Sequence, residues 1–589
     1  MQSRRSFIRL SIGTAVPVLL SACAAPQAPA APQAPAAPAA KPTSPPAAAT
    51  ATPQPTSAPK PAAASSDPYP SYLPFTGGPK PDYHDTNVLF ADGFDNYPAN
   101  PFKANQSPPG AGGAINVLIA AYFPVPTPYD QNPTWQAVNK QLNADVRMNI
   151  IPTADYRTKF ATTIASEDLP DIMHIYFGYS LAPSLPQFFK AKCADLTPFL
   201  SGDAAKEYPY LAAIPSAAWK NSTSAVDGQL FLVPIHRPMY SVAERYPYGG
   251  NLFKNVDMYD KEIGENYVPK DADDFKRVLQ TLTRPQENRW GIGKAGTTGT
   301  IFGLGTYAEM FGAPNQWKLE GGKLIKDRET EQYKTAVGYL RDLFAAGVYP
   351  PDAATTTNSR ADFVAKKFAM SVESQGNSWI DFWQRGLQQN PQTRFAMLPP
   401  FSATAGQKPT YYLSPGFNSM NVLKKASPDR IREILRVMNW LASPFGSQED
   451  LILSYGVEGQ DFKMDDRGNP VPSVEGVSRA GYVPWRYVVQ HPWVYYQADL
   501  PGFAKASYEA EHATLPLGIE DPTNGFYAPS FYGKGVVAEN TFFDGIREIV
   551  LGRAPMTDYD RLVKEWSAAA GDQVKQEFMT AMAQRGAGQ

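Results

Sequence analysis

The chain is poor in the side chains that bind metals or form cross-links. Of its 589 residues, two are cysteine and five are histidine. The histidines, His84, His174, His236, His491 and His512, stand far apart, without the spacing of a metal site. No G-x-S-x-G and no H-E-x-x-H occurs, so two common hydrolase signatures are missing. An excess of one charge is missing too. The formal net charge is −2, which gives no reason to expect nucleic acid or an anionic membrane surface as a partner. The N-terminal apolar run, Ile12 to Leu20, is shorter than the roughly 20 residues that span a bilayer.

That short run acquires a meaning from its neighbours. Arg4 and Arg5, followed by Phe7, give a charged region ahead of it, the pattern of a signal peptide over residues 1–22 of the twin-arginine type. Leu20-Ser21-Ala22-Cys23 then resembles the bacterial lipobox, in which the cysteine is acylated and becomes the new N-terminus. Lipid on Cys23 would contribute about 0.8 kcal/mol per buried CH₂ and would be the chain's sole membrane contact. Cys193 is then left without a disulfide partner and is expected as a small buried hydrophobe. Residues 23–65, nearly all Ala, Pro, Gln, Thr, Ser and Lys after the cysteine, have little to bury. They read as a disordered tether that prolines keep extended.

The remainder has a globular composition, and its length implies more than one domain. Residues 66–113 are rich in Gly and Pro and are expected as irregular chain packed on the body. Ile115 to Ala121 is a continuous apolar run, as in a strand covered on both faces. Asn132-Pro133 supplies a helix start, with Trp135, Val138 and Leu142 at helical spacing. Strands follow at Arg147–Ile151 and Asp171–Phe177, separated by a helix carrying Tyr156, Phe160 and Ile164, with Asp155 as its expected cap. Strands alternating with helices point to an α/β fold. Two more apolar stripes, Ala272/Phe275/Val278/Leu279/Leu282 and Ile431/Ile434/Leu435/Met438/Leu441, are expected to pack into a core.

Ala165-Ser166-Glu167-Asp168-Leu169-Pro170-Asp171-Ile172 resembles a signature of the family 1 extracellular solute-binding proteins of carbohydrate ABC importers. More resemblances follow in the family's order: Ala194 to Phe199, Asp227 to Pro234, Phe368-Ala369-Met370 with Trp379, Ser454 to Gly459, and Ile549 to Gly552 with Trp566. They run from about residue 115 to 580 and are similar to the large lipoprotein-type branch that includes alginate-oligosaccharide-binding proteins. The resemblance implies a two-lobed periplasmic-binding-protein (Venus flytrap) fold, with hinge strands and a helical C-terminal portion. It assigns 114–236 plus 362–410 to one lobe and 240–360 plus 415–589 to the other. It further implies an exported, membrane-anchored monomer that captures an oligosaccharide or other sugar and delivers it to the permease subunits of an ABC importer, without catalysis.

Sugar chemistry then selects candidates. A pyranose offers an apolar face to aromatic rings and a rim of hydroxyls to polar side chains. Sites in open α/β sheets lie beyond the carboxyl ends of strands. These conditions choose Tyr122, Phe123, Tyr176, Phe177, Arg237, Tyr240, Glu373, Asn377, Trp379, Phe417 and Trp485. Trp379 is favoured, because the polar stretch Ser371–Ser378 before it reads as a cleft loop. No cofactor and no metal is expected. Gly291-Ile292-Gly293-Lys294-Ala295-Gly296 matches a dinucleotide fingerprint, but no convincing strand precedes it and Gly-Thr-Thr-Gly-Thr is a poor helix start. Asp465 to Asn469 lacks the spacing of a calcium loop, and residues 282–292 lack the acidic calcium loop of some alginate-binding relatives. With 56 Asp and Glu, a pair of catalytic carboxylates stays open. The alternatives are therefore an exported glycoside-processing enzyme and a surface lectin.

Overall fold

The computed structural model describes residues 67–121, 123–176, 182–223, 225–239, 250–293, 302–355, 359–373 and 377–586. Its backbone is organised around two separate sheets, built from strands β1 (Ala114–Ala121), β2 (Asp145–Pro152), β3 (Ile172–Tyr176), β4 (Leu232–His236), β5 (Asn251–Asn255), β6 (Trp290–Ile292), β7 (Phe368–Glu373), β8 (Phe395–Met397) and β9 (Phe417–Leu423). The first sheet has the order β2-β1-β3-β9-β4, and the second β8-β5-β7-β6.

In the first sheet β1, β2 and β3 are parallel, joined by helices as expected. Asn132 caps the first helix by accepting the Trp135 N–H at 3.0 Å, with Pro133 at the first helical position. The second starts at Thr153, so Asp155 sits in its first turn and does not cap it. Helix Pro428–Leu441 covers this sheet with the stripe read from sequence, all five members buried. Each such side chain contributes about 1.5–3 kcal/mol relative to exposure. Cys193 lies in the same core with no disulfide, and burial pushes its thiol up to about 12.

The second sheet departs from the lobe boundaries expected above. Strand β7, assigned to the first lobe, pairs antiparallel with β5 and parallel with β6, and β8 also pairs with β5. Strand β9, assigned to the second lobe, lies between β3 and β4 in the first sheet. Residues 452–489 likewise join the first core, whereas the C-terminal helices Lys534–Val550, Tyr559–Trp566 and Asp572–Arg585 join the second. Strand β6 was not expected. Two glycines, Gly291 within it and Gly293 just after it, serve packing: a Cβ on Gly291 would lie 2.3 Å from the Leu279 carbonyl oxygen, and one on Gly293 2.2 Å from the Phe368 ring. The dinucleotide-like spacing thus includes glycines required by close approach of protein to protein.

Between the sheets the chain crosses in adjacent segments. Tyr411–Tyr412 pairs with Gly518–Ile519. The Ser414 N–H donates to Met239 O at 2.7 Å, and Asn315 Nδ2 donates to both Leu413 O and Ile519 O at 2.9 Å. The lead segment is irregular, as expected, and its backbone donors are satisfied by the body. Ala104 and Asn105 donate to Glu449 at 2.9 Å, Tyr97 to Asn469 Oδ1 at 2.8 Å, and Ala91 to Glu511 Oε2 at 2.9 Å.

Candidate functional site

The carboxyl ends of β1, β3 and β4 meet the amino end of the antiparallel β9, with Phe417 opposite His236 and Ser419 opposite Tyr176. Expected residues are thereby brought to one edge: Phe123 just after β1, Tyr176 ending β3, Arg237 just after β4, and Phe417 opening β9. The aromatic-rich segment from which the sequence selected Trp485 adds further residues here. Tyr482, Tyr487, Gln490 and Trp493 lie along this edge. Phe123 is half-buried and its ring stands 5.7 Å from Tyr487 and 6.5 Å from Tyr482, stacked on the latter. Tyr487 reaches His174 at 5.8 Å, and His174 reaches Tyr176 at 5.7 Å. Asn421 of β9 fixes the segment, its Nδ2 donating to the carbonyls of Tyr487 and Val488 at 2.9 Å.

Arg237 is held from the same segment. Its Nη1 donates to Gln490 Oε1 at 2.6 Å and to its neighbour's carbonyl, His236 O, at 2.8 Å. Its guanidinium carbon lies 4.9 Å from the Trp493 ring centroid. The Trp493 N–H donates to His236 Nδ1 at 3.0 Å. Burial, and then the Arg237 charge, pull His236 down to about 3, so it is neutral and accepts. The edge therefore presents half-buried aromatic rings and one half-buried cation.

On the second sheet the corresponding edge holds Glu373 opposite Asn251. A pocket opens there, lined by Asn251, Thr306, Glu309, Phe401 and Tyr411 among others. The Tyr411 hydroxyl donates to Asn251 Oδ1 at 2.8 Å, and Glu309 Oε2 accepts the Tyr412 N–H at 2.5 Å. Burial pushes the Glu309 carboxyl up to about 8, so it is held mostly protonated at neutral pH. Among the described residues no group of three or more His, Cys, Asp or Glu is placed to hold a metal ion.

A family model described as bacterial extracellular solute-binding protein matches residues 135–457, more than half of the chain. The chain belongs to that family. It is 20% identical over 497 residues to lipoprotein LipO of Bacillus subtilis (strain 168), covering 81% of this chain and 93% of that one. It is also 20% identical over 464 residues to the polygalacturonan/rhamnogalacturonan-binding protein YtcQ of the same strain, covering 76% and 87%. Among solved structures, an HMO-binding, ABC-transporter-associated solute-binding protein of Bifidobacterium longum infantis matches with a TM-score of 0.59 at 13% identity, covering 82% of this chain and 99% of that one. That likeness establishes the two-lobed α/β fold. Family membership also agrees with the expectation of a binding chain rather than an enzyme.

Several expected contacts of this solute-binding protein take other places. Trp379 is 2% exposed and does not line a cleft. It stands in helix Asn377–Gln389, among Phe253, Trp383 and Phe503, because an indole beside that aromatic cluster gains more from burial than from solvent. Trp485 is equally buried, edge-on to Trp135 in the first core. Phe417 and Tyr176 reach the right edge, but their side chains are buried. Glu373 is buried and bound through both oxygens to Arg360, at 3.2 and 3.1 Å, so its charge is already paired. Asn377 opens a helix, and its side chain lies outside what is described. Tyr122, Phe177, Tyr240 and Cys23 also lie outside the described residues.

Proposed function

We propose that this protein is a lipid-anchored, extracytoplasmic receptor that captures a carbohydrate, an oligosaccharide in particular, between its two lobes and hands it to the permease of an ABC importer. The observation that carries the reading is the edge formed by Phe123, Tyr482, Trp493 and Arg237, which joins half-buried ring surface to a guanidinium that the buried Gln490 holds in place. A sugar ring needs both at once, a face to stack on and partners for its hydroxyls. The names of the relatives support the same class: one binds polygalacturonan and rhamnogalacturonan, and another is an HMO binder associated with an ABC transporter. A receptor of this type acts by bending at its crossing segments, here 236–239, 411–416 and 518–519.

Export by the twin-arginine route and acylation of Cys23 complete the proposal, from the order of charge, apolar run and cysteine. Cys23→Ser is expected to release the protein from membranes, checked by fractionation and by mass spectrometry of the mature N-terminus. For the ligand, the mature protein is titrated by calorimetry with a panel of oligosaccharides, and bound sugar is recovered and sized. Binding with the sugar returned intact is the expected result. Cleavage of the sugar, or binding to none of the panel, would overturn the reading.

A further inference from the structure

The charge balance around Arg237 carries a statement about the ligand. Several buried or half-buried arginines elsewhere face carboxylates: Arg328 meets Glu539 at 2.6 Å, Arg479 meets Asp461 at 2.6 Å, Arg486 meets Asp450 at 2.7 Å, and Arg360 meets Glu373 at 3.1 Å, whereas Arg341 donates to the Ala554 carbonyl. Arg237 is half-buried too, yet no carboxylate of the described residues lies within 4.0 Å of it. Both acceptors that the described residues give it are neutral, a backbone carbonyl and the Gln490 amide, and both are taken by Nη1. Nε and Nη2 make no hydrogen bond to a described residue. That pair is the fork with which arginine grips a carboxylate through two parallel bonds.

The groups around the fork leave its charge in place. His236 is neutral, and its Nδ1 is occupied by the Trp493 N–H. Trp493 offers a ring face at 4.9 Å, which steadies the guanidinium plane without cancelling its charge. Gln490 fixes Nη1 from one side. Asp450, 3.4 Å from His491, is engaged by Arg486 at 2.7 Å and by the Tyr97 hydroxyl at 3.0 Å. On the second sheet the Glu373 carboxylate is paired with Arg360. A partly desolvated cation with an open fork is stabilised by an anionic partner far more than by a neutral hydroxyl.

We propose that the ligand is an acidic oligosaccharide, one carrying a uronic acid, whose carboxylate pairs through two hydrogen bonds with Nε and Nη2 of Arg237. This rests on the carbohydrate reading above and narrows it. Trp493 and Gln490 are positioning residues, which hold the guanidinium while Nε and Nη2 make no hydrogen bond to a described residue.

The test uses matched pairs: uronic acid oligosaccharides and the same molecules with carboxyls reduced to primary alcohols, titrated into the mature protein by calorimetry at fixed salt. The acidic member of a pair is expected to bind about ten-fold tighter or better, as a charge-assisted pair predicts. Arg237→Gln should erase that difference by weakening the acidic member alone, while the ligand-free melting temperature stays within a few degrees. Arg237→Lys, which keeps charge without the fork, should recover part of it. Neutral members binding as tightly as acidic ones would overturn the acidic assignment and leave the carbohydrate reading standing. Arg237→Gln weakening both members equally would do the same, by showing that Arg237 serves hydroxyls. Failure of every pair to bind would overturn both. The comparison within each pair requires no variant, so a poorly folding variant does not blunt it.

Discussion

Trp379 and Phe395 are joined by a hydrogen bond, the indole N–H donating to the Phe395 carbonyl oxygen at 2.9 Å. Trp383, one helical turn on, donates to the same oxygen at 2.7 Å. Two tryptophans thus bind their helix to strand β8, with Phe253 and Phe503 packed at 5.5 and 5.4 Å from the Trp379 ring. Trp379→Ala should therefore cost about 3–5 kcal/mol of stability in the ligand-free protein, the usual range for a buried tryptophan. Trp379→Phe should cost less, since it keeps ring bulk and loses the N–H. Denaturant unfolding without ligand measures both. An unchanged midpoint with lost ligand affinity would put the ring against the ligand instead.

The fate of Trp379 shows where local sequence stops being informative. Residues 371–378 are polar, and polarity ahead of an aromatic reads as a loop at a cleft. What decided the matter was the aromatic cluster from residues 253, 395 and 503, distant in sequence and invisible to a window around 379. The same limit governs strand β7. Its apolar run would be buried in either sheet, and pairing with 251–255 is a long-range outcome. By contrast, β1, its Asn132-capped helix and the 428–441 stripe were legible, because periodicity and capping are local. At the site, the carboxyl-end rule led to Phe123, Tyr176 and Arg237, and an expected crossing between the lobes led to Phe417. Neither gave a hint of Gln490, which reaches Arg237 across 253 positions.

Phe123 keeps part of its ring exposed at the end of β1, tilted at 35° to Tyr487. Phe123→Ala should remove one stacking surface and weaken a bound oligosaccharide by about 0.5–1.5 kcal/mol, roughly two- to ten-fold. The ligand-free melting temperature should fall by only a few degrees. Calorimetry paired with thermal melts checks both halves. A large fall in melting temperature with unchanged affinity would return Phe123 to the core.

Glu511 ties the N-terminal lead segment down through the Ala91 N–H, and burial pushes its carboxyl up to about 8. An unfolded glutamate titrates near 4.3, so between about pH 4 and 8 the folded protein holds a proton that the unfolded chain has released. Stability from this group is therefore fully present below about pH 4 and is lost as pH rises through 8. Glu511→Gln removes the titration while keeping an acceptor for Ala91. Thermal melts at several pH values from 5 to 8 should show the wild type losing stability relative to the variant. A difference that stays constant with pH would mean that Glu511 ionises as an ordinary surface carboxylate.

Ligand capture between the edges of two sheets requires the crossing segments around Met239, Ser414 and Ile519 to bend as the edges approach. Small-angle scattering reads that approach directly, on the mature protein alone and saturated with an oligosaccharide whose binding calorimetry has established. A smaller radius of gyration in the saturated sample is the expected result. Superimposable scattering profiles at saturation would contradict capture by closure.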